Sequence, residues 1–378
     1  MNFEKFNDIR PYKDDEIQAA MHRIAESPHI SNIASYLYPG IDVNMFKQLL
    51  MSCSTVDDFQ KKVMRNVVQK IVSGTMKNLT HSGTENFKEG RRYLLISNHR
   101  DIVLDSAVIQ FLLNENGVPT TESAVGDNLI TSPFIEDVIR SNKMIKVIRS
   151  TSPRELYMVS KTLSEYIRTN ISQSNSSVWI AQRNGRTKDG LDMTEQGLLK
   201  MFDMSGKGDF ANDFAELNIM PTSISYEYEP CDILKAVELF IKKRQKYIKG
   251  KDEDLNSIIT GIMQFKGNVH FSFNEPLTAD EIGSAAELDS NERFKALAGI
   301  IDKKINSNYK LWKTNYMAYD ILNSTNEFAN MYSSAEKDEF LNYISFKMQS
   351  VEEGMEEVEQ ILLSIYANPV VTRKNMNL

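Results

Sequence analysis

Two kinds of hydrophobic pattern divide the chain. Up to about Leu79, apolar residues recur at helical spacing, as in Val56 to Met76, where lysines and arginines fill many of the positions between them. From Arg91 to about Leu277, short apolar runs alternate with helical patterns, which is typical of an α/β layer fold. After about Thr278 the helical pattern returns and continues to the end. The chain is therefore predicted to have an α/β domain between two helical regions.

The alternating segment predicts a mixed central sheet flanked by helices, over residues 81–278, with helical regions at 1–80 and 279–378. Two helices are predicted within it, at Val103–Leu113 and Pro153–Arg168. The second has a start signal, because Ser152 is placed as N-cap, Pro153 as first residue and Glu155 as the acid of a capping box. The predicted strands are Tyr93–Ser97, Ile145–Ile148, Val178–Ala181, Ile219–Tyr226 and Val269–Phe273.

Composition excludes several classes of protein. The 378 residues are 41% hydrophobic and 25% charged, as in ordinary globular proteins, and the net charge of −7 argues against nucleic-acid binding by the molecule as a whole. The two cysteines, Cys53 and Cys231, are far apart, which indicates a reducing compartment and disfavours a disulfide framework or a cysteine zinc site. The polar Met1–Lys13 segment has no apolar signal core, and no apolar run approaches the ~20 residues of a spanning helix. We expect a cytoplasmic protein, soluble or lying on a membrane.

A dense polar cluster follows the first predicted strand of the sheet. It consists of Asn98, His99, Arg100, Asp101 and Asp105, and such a cluster is costly to bury unless it is paired or used. A histidine at a strand end with a carboxylate nearby is a candidate general base with its orienting partner. His99 and Asp105 meet only if His99 lies in the turn and Asp105 in the first helical turn. Asp105 is the favoured partner, and Asp101, the alternative, is better placed to cap the helix start.

Two further segments supply cations. Residues 178–190 run from a buried strand into a loop that contains Gly185, Arg186 and Lys188, where glycine permits close backbone approach and arginine binds phosphate bidentately. Arg149 ends another predicted strand just before a helix N-terminus, a combination that favours an anion. For each segment alone, a solvated surface is an equally good interpretation.

Taken in order, four motifs resemble those of the glycerolipid acyltransferase family, which includes glycerol-3-phosphate and 1-acylglycerol-3-phosphate acyltransferases. The similarity extends over roughly residues 81–278. Two features depart from the family pattern: five residues instead of four separate His99 from Asp105, and Asn184 or Gln182 stands where a glutamate is usual. The extra residue is either absorbed by the turn, or Asp101 takes part. The matching positions are Asn98-His99 with Asp105 (NHxxxxD-like), Arg149, Asn184-Gly185-Arg186 (EGxR-like) and Pro221, which marks the start or the edge of a core strand.

The resemblance implies an O-acyltransferase in phospholipid biosynthesis. His99 would be the catalytic base, Asp105 its partner, and no metal or other cofactor is expected beyond acyl-CoA or acyl-carrier protein as co-substrate. The acceptor would be glycerol 3-phosphate, a lysophospholipid such as lysophosphatidate, or a hydroxylated N-acyl amino acid. The expected substrate-binding residues are Asn98, Arg100, Arg149, Gly185, Arg186 and Lys188.

Other interpretations stay open at this stage. A non-catalytic lipid-binding protein on the same fold and a thioester hydrolase are the alternatives to an acyltransferase. Peripheral contact with the cytoplasmic face of a membrane is expected through the N-terminal or C-terminal helical region. The basic segment Ile241–Lys249 is either a contact for acyl-carrier protein or anionic lipid, or a solvated helix face.

Overall fold

A mixed β-sheet runs through the middle of the protein. The computed structural model describes residues 3–150, 152–173 and 175–378, and in these residues the sheet has seven strands in the order β1-β7-β6-β2-β5-β3-β4. Neighbouring strands are parallel except β6 and β7, which are antiparallel. The prediction of an α/β fold with a mixed sheet is confirmed. The strands are β1 (Met76–Ser82), β2 (Leu94–Ser97), β3 (Glu122–Gly126), β4 (Met144–Val147), β5 (Val178–Ala181), β6 (Ile219–Tyr226) and β7 (Gly267–Phe273).

Helices precede, surround and follow this sheet. The N-terminal helices are α1 (Asp14–Glu26), α2 (Ile30–Leu37), α3 (Val43–Met51), α4 (Val56–Phe59) and α5 (Arg65–Thr75), with a π-helical turn at Gln60–Met64. The helices between the strands are α6 (Leu104–Glu115), α7 (Pro133–Ser141), α8 (Pro153–Ser172), α9 (Gln196–Asp203), α10 (Phe210–Ala215), α11 (Asp232–Lys242) and α12 (Glu253–Met263). The C-terminal helices are α13 (Ala279–Ala286), α14 (Glu292–Asn308), α15 (Lys313–Asn323), α16 (Ser334–Met348) and α17 (Met355–Asn375).

The strands that the sequence predicted are present, and two more were missed. β5 and β6 have the predicted bounds, and β2, β4 and β7 differ from the prediction by two residues or fewer at each end. The predicted helix up to Leu79 is wrong from Met76 onward, because these residues form β1. β1 is an edge strand that pairs only with β7 in the described residues, and most of its side chains are at least partly exposed, so it lacks an apolar run.

Pro221 lies inside β6, and β6 is a central strand that is buried along its whole length. The expectation that Pro221 marks a strand start or a sheet edge is therefore wrong. The register between β6 and β7 begins only at Thr222, beside Phe273. The Pro221 carbonyl accepts a hydrogen bond from the backbone N–H of Asn274, 3.1 Å away. The paired residues of β6 and β7 start one position after the proline, which has no backbone N–H to donate.

The two faces of the sheet pack against different helices. Leu94 and Ile96 of β2 belong to one core with α8, α9, α10, α13 and α14, whereas Leu95 belongs to the other core, with α6. Successive side chains of a strand point to opposite faces, which accounts for this alternation. The first two C-terminal helices therefore pack on the sheet, while α15–α17 form a separate core with α11. The N-terminal helices α1–α4 have a core of their own.

The helices begin where the sequence indicates, but not all of them have the expected capping hydrogen bonds. α13 begins after Thr278 with a capping box to Glu281, and α16 has the same arrangement of Ser333 and Glu336. α8 begins at Pro153 as predicted, but the Ser152 side chain makes no capping hydrogen bond. The Glu155 carboxylate instead accepts a hydrogen bond of 2.7 Å from the Ser150 hydroxyl. Among the described helices, none has the length and apolar character needed to cross a bilayer.

Candidate active site

Asn98 fixes the end of β2 against β6. Its side-chain amide donates to the carbonyl of Ile224 and accepts from the N–H of the same residue, both at 2.8 Å. The amide thus imitates a ladder pair one residue beyond the strand, where β2 turns away. Asn98 is fully buried, so the structure places it behind the site as an anchor for the residue that follows.

His99 forms the predicted pair with Asp105. The His99 Nδ1 lies 2.8 Å from the Asp105 Oδ2, which also accepts the backbone N–H groups of Arg100 (2.6 Å) and Asp101 (3.0 Å). The other carboxylate oxygen accepts the hydroxyl of Tyr226 at 3.0 Å. The Asp105 carboxylate already accepts hydrogen bonds from two backbone N–H groups and a hydroxyl, so it is an acceptor for the imidazole as well. The His99 Nδ1 is therefore the donor and carries the proton between them. In the neutral form of the ring, this leaves Nε2 without a proton and available as a base, and the ring lines a cavity.

Asp101 caps the helix, as the sequence indicated. Its Oδ1 accepts the backbone N–H groups of Val103 (2.9 Å) and Leu104 (2.8 Å) at the start of α6. Burial, together with the charge on Asp105, raises the pKa of Asp101 above its ordinary value. The additional residue between His99 and Asp105 is therefore accommodated in a capped turn, and Asp105 remains the partner of the histidine.

Arg100 points away from the cavity into a buried ionic network. Its guanidinium donates to the Asp192 carboxylate and, at 3.3 Å, to Glu229, while Lys235 donates to Glu229 (2.6 Å) and to the Arg100 carbonyl (2.7 Å). Burial opposes the positive charge, but Asp192 and Glu229 outweigh it and hold the pKa of Arg100 well above its ordinary value. We correct the expectation that Arg100 contacts substrate, because its side chain is only 1% exposed and its charge is satisfied within the protein.

The loop between β5 and α9 is bound to the histidine turn. The Thr187 N–H donates to the His99 carbonyl (2.8 Å), and the Thr187 hydroxyl donates to Asp192 (2.7 Å). Gly185 has a φ of 77°, a left-handed conformation that glycine adopts without strain. The next residue, Arg186, lines the cavity, and its buried Nη1 has no hydrogen-bond partner among the described residues. Leaving a buried guanidinium nitrogen without a partner costs free energy, which makes Arg186 a candidate ligand for an anion in the cavity.

Arg149 lines the same cavity, two residues beyond the end of β4. Its guanidinium lies against Gly126. If residue 126 had a side chain, its Cβ would lie only 2.9 Å from the Arg149 Nε. The backbone N–H of Arg149 donates to Asp127 at 3.2 Å, whereas its exposed side chain has no hydrogen-bonded partner in the part of the chain that is described. The arginine is thus free to bind an anion that enters the cavity.

Lys188 lines the cavity but is already paired. Its ammonium contacts the Glu238 carboxylate, which also accepts Lys242 at 2.7 Å. Burial lowers the pKa of Lys188, and Glu238 only partly opposes that effect. Of the six expected substrate-binding residues, the structure brings Arg149, Gly185, Arg186 and Lys188 to the cavity, and it buries Asn98 and Arg100 behind it.

The cavity has a volume of about 1000 Å³ and is lined by both charged and apolar side chains. His99, Arg149 and Arg186 are among the polar residues, and the apolar ones come mainly from β3–β5, α8 and α9. Trp179 closes the wall beside His99, and the two rings meet edge to face with centroids 5.7 Å apart. The apolar residues along the wall include Ile102, Val147, Leu156, Val159, Leu163, Leu198 and Met201.

Three residues that the sequence did not single out complete the site. Tyr226 supports Asp105, Asp192 joins Arg100 to Thr187, and Trp179 packs against His99. Trp179 and Tyr226 lie in stretches that the sequence marked as core strands, so their positions were visible although their contacts were not. Asp192 lies in a loop with no distinguishing pattern, and nothing in the sequence pointed to it.

Comparison with known proteins gives one family match and a similar solved structure. Residues 78–225 match the family model described as Acyltransferase. No curated protein matches the chain at a significant level. Among solved structures, the chain is similar to the 1-acyl-sn-glycerophosphate (LPA) acyltransferase PlsC from Thermotoga maritima, with 13% identity and a TM-score of 0.43 over 79% of this chain and 96% of that one.

Proposed function

Because residues 78–225 match the family model described as Acyltransferase, we propose that this protein transfers a fatty acyl group from a thioester to a hydroxyl of glycerol 3-phosphate or a lysophospholipid. The observation that carries the proposal is the His99–Asp105 pair, whose histidine lines a cavity together with Arg149, Arg186 and a set of apolar side chains. The donor would be acyl-CoA or acyl-carrier protein, and the product a membrane lipid.

The reaction begins with the acceptor hydroxyl. The His99 Nε2 removes its proton while the oxygen attacks the thioester carbonyl carbon. Asp105 keeps the Nδ1 proton in place and stabilises the imidazolium that forms. The tetrahedral intermediate then collapses, the C–S bond breaks, and His99 returns the proton to the thiolate. The products are an ester and a free thiol, and the enzyme itself is never acylated.

The anionic part of the acceptor is assigned to Arg149 and Arg186. Both line the cavity that His99 opens onto, and neither guanidinium is neutralised by a carboxylate at hydrogen-bonding distance in the described residues. Lys188 contributes less, because Glu238 already balances its charge. The apolar wall offers room for an acyl chain, whose burial supplies affinity at about 0.8 kcal/mol per methylene group. A carboxylate-bearing acceptor such as a lyso-amino-acid lipid would use the same two arginines.

The test is an acyl-transfer assay with His99→Ala. Purified protein is incubated with labelled acyl-CoA or acyl-carrier protein and a panel of acceptors that differ in their headgroup. The wild type should form product only with an anionic acceptor, and His99→Ala should form none while unfolding at the same urea concentration. His22→Ala, which changes an exposed histidine on α1, is the matched control.

Three outcomes would contradict the proposal. Robust turnover by His99→Ala would remove the histidine from the mechanism. Release of free fatty acid at the same rate without any acceptor would identify a thioester hydrolase. Saturable binding of lipid by the wild type, without product from any donor, would identify a non-catalytic lipid-binding protein.

A further inference from the structure

The outward face of α12 is apolar where a surface helix is normally polar. Leu255, Ile259 and Met263 are spaced four residues apart, so they lie on one face, and they are 56%, 52% and 58% exposed. The opposite face packs inward through the buried residues Ser257 and Gly261. Ile262 also packs against the core, whereas the apolar side chains of the outer face stay exposed, and an exposed apolar patch of this kind indicates a partner outside the protein.

The loop before α12 adds positive charge beside this face. Residues 242–251 contain six lysines and arginines and no acidic residue. Lys246 and Lys251 have no acidic partner among the described residues, and both are exposed. Between them, Ile248 is 83% exposed, the most exposed large apolar side chain of the described part of the chain. An apolar side chain at the tip of a basic loop suits the boundary between lipid headgroups and acyl chains.

The apolar face continues onto the N-terminal helices. The hydroxyl of Tyr36 on α2 lies 3.7 Å from the Met263 sulfur, and Tyr36 is itself 41% exposed. The Lys70 ammonium stands 5.0 Å from the centre of the Tyr36 ring. Aromatic rings and lysines at the rim of an apolar patch are typical of proteins that lie in a membrane interface.

The loop and helix also border the cavity that holds His99. Lys242, Lys249 and Asp254 line that cavity, and Asp254 accepts a hydrogen bond of 3.3 Å from Asn128 on its rim. A membrane in contact with α12 would therefore lie close to this cavity. Lipid acceptors and products would then exchange with the bilayer over a short path, an advantage that rests on the proposed function.

We propose that Ile248, Leu255, Ile259 and Met263, together with Lys246 and Lys251, form a docking surface for anionic membranes. Charge complementarity favours an anionic lipid surface, because the basic loop lies directly beside the apolar face. The apolar side chains protrude at 50% exposure or more instead of lining a groove, and a ridge of this kind enters a deformable lipid layer without needing a complementary pocket. This proposal centres membrane contact on α12 and the loop before it, next to the N-terminal helices, whereas the sequence indicated the N-terminal or C-terminal helical region.

The experiment is flotation of the full-length protein with vesicles of phosphatidylcholine alone or with phosphatidylglycerol added. The wild type should bind the anionic vesicles and be released by salt. The double variant Lys246→Gln/Lys251→Gln should weaken partitioning roughly 30-fold. Each lysine near an anionic surface contributes about 1 kcal/mol, and about 1.4 kcal/mol corresponds to a tenfold change in partitioning. Ile248→Asp/Ile259→Asp should weaken it at least about tenfold, because two buried apolar contacts are lost.

Matched controls separate this surface from general surface effects. Phe346→Asp changes a side chain that is 67% exposed on α16, and Lys303→Gln changes an exposed lysine on α14; both should float like the wild type. Wild-type protein that binds neither vesicle would overturn the proposal, as would equal losses in the controls. A dimer that Ile259→Asp dissociates would assign the surface to a second copy of the chain instead. Flotation does not require turnover, so failure of the proposed acyl transfer would be recognised separately.

Discussion

Gly261 on α12 stands directly against Asp101, so that a side-chain carbon on Gly261 would lie 2.1 Å from the Asp101 Oδ2. Asp101 is fully buried and is held by its hydrogen bonds to the start of α6. The contact therefore couples α12 to the turn that positions His99. The close approach favours glycine, because the other oxygen of the Asp101 carboxylate is held by two backbone N–H groups.

We expect Gly261→Ala to destabilise the protein despite the higher helix propensity of alanine. Overpacking costs about 1–3 kcal/mol, whereas the exchange of glycine for alanine in a helix gains roughly 0.5–1 kcal/mol. Urea unfolding measures the difference. Gly283→Ala on α13, where a side-chain carbon would meet no atom within 4 Å, should be neutral or stabilising. Equal effects of the two substitutions would show that the contact with Asp101 costs nothing.

Asp105→Asn should reduce kcat by roughly 10³–10⁴-fold, because the amide no longer holds His99 in the tautomer with Nε2 free. Tyr226→Phe removes only one hydrogen bond to the same carboxylate, worth about 1 kcal/mol, and should lower kcat less than about tenfold. Steady-state kinetics on both variants, with urea unfolding as a check on folding, measure this graded effect. If Asp105→Asn retained more than a tenth of the activity, the pair would not be the catalytic unit.

The local part of the site could be predicted from the sequence, and the long-range part could not. His99 and Asp105 are six positions apart, and the geometry of a turn followed by a helix was enough to pair them. Arg100 was expected to contact substrate because it lies in the same polar cluster. Its actual partners are Asp192 and Glu229, 92 and 129 positions away, and no periodicity indicates such pairs.

Burial explains which strands the sequence revealed. β5 is a central strand of four apolar residues, and β6 is central and buried throughout with apolar residues at both ends, so both were recognised with correct bounds. β3 contains Glu122, whose carboxylate accepts Tyr166 (2.7 Å) and Asn170 (3.0 Å) within the interior. A buried acid supported by α8 looks like a surface residue in the sequence, which is why β3 was missed. A buried polar residue that is hydrogen-bonded to distant partners interrupts the apolar run of a strand. The strand is then as hard to recognise in the sequence as an exposed one.

Arg149→Ala and Arg186→Ala should each raise KM for a phosphate-bearing acceptor. Hydrogen bonds to a charged group contribute about 1.5–3 kcal/mol, so each substitution should lower kcat/KM roughly 10- to 100-fold. Lys188→Ala should have a smaller effect, because the ammonium is already paired with Glu238. Kinetics with a phosphate-bearing and a neutral acceptor of the same chain length measure the difference.

Arg154→Ala, at an exposed position near the start of α8, is the matched control for these arginines and should behave like the wild type. The loss should disappear with the neutral acceptor, since no anion is then bound. Equal losses with both acceptors would show that the arginines support the fold or the donor and do not bind the phosphate of the acceptor.

His270 should make the protein less stable in acid. The ring bridges β7 to β1, with Nδ1 2.9 Å from the Thr80 hydroxyl, and burial lowers the His270 pKa to about 4 from an ordinary value of 6.5. Between pH 6.5 and 4 the unfolded chain binds a proton that the folded chain does not, so the free energy of unfolding falls as the pH falls. Because the ring is partly exposed, we expect its contribution to reach about 2 kcal/mol at pH 4.

Urea unfolding of His270→Gln between pH 7.5 and 4 tests this origin of acid sensitivity. Glutamine does not titrate and can still bond to Thr80, so the stability of the variant relative to the wild type should rise steadily as the pH falls from 6.5 to 4. His22→Gln, at an exposed position on α1, should leave the pH dependence unchanged. A constant stability difference between His270→Gln and the wild type across this range would mean that His270 is protonated equally in both states, and that the β1–β7 edge does not sense acid through its histidine.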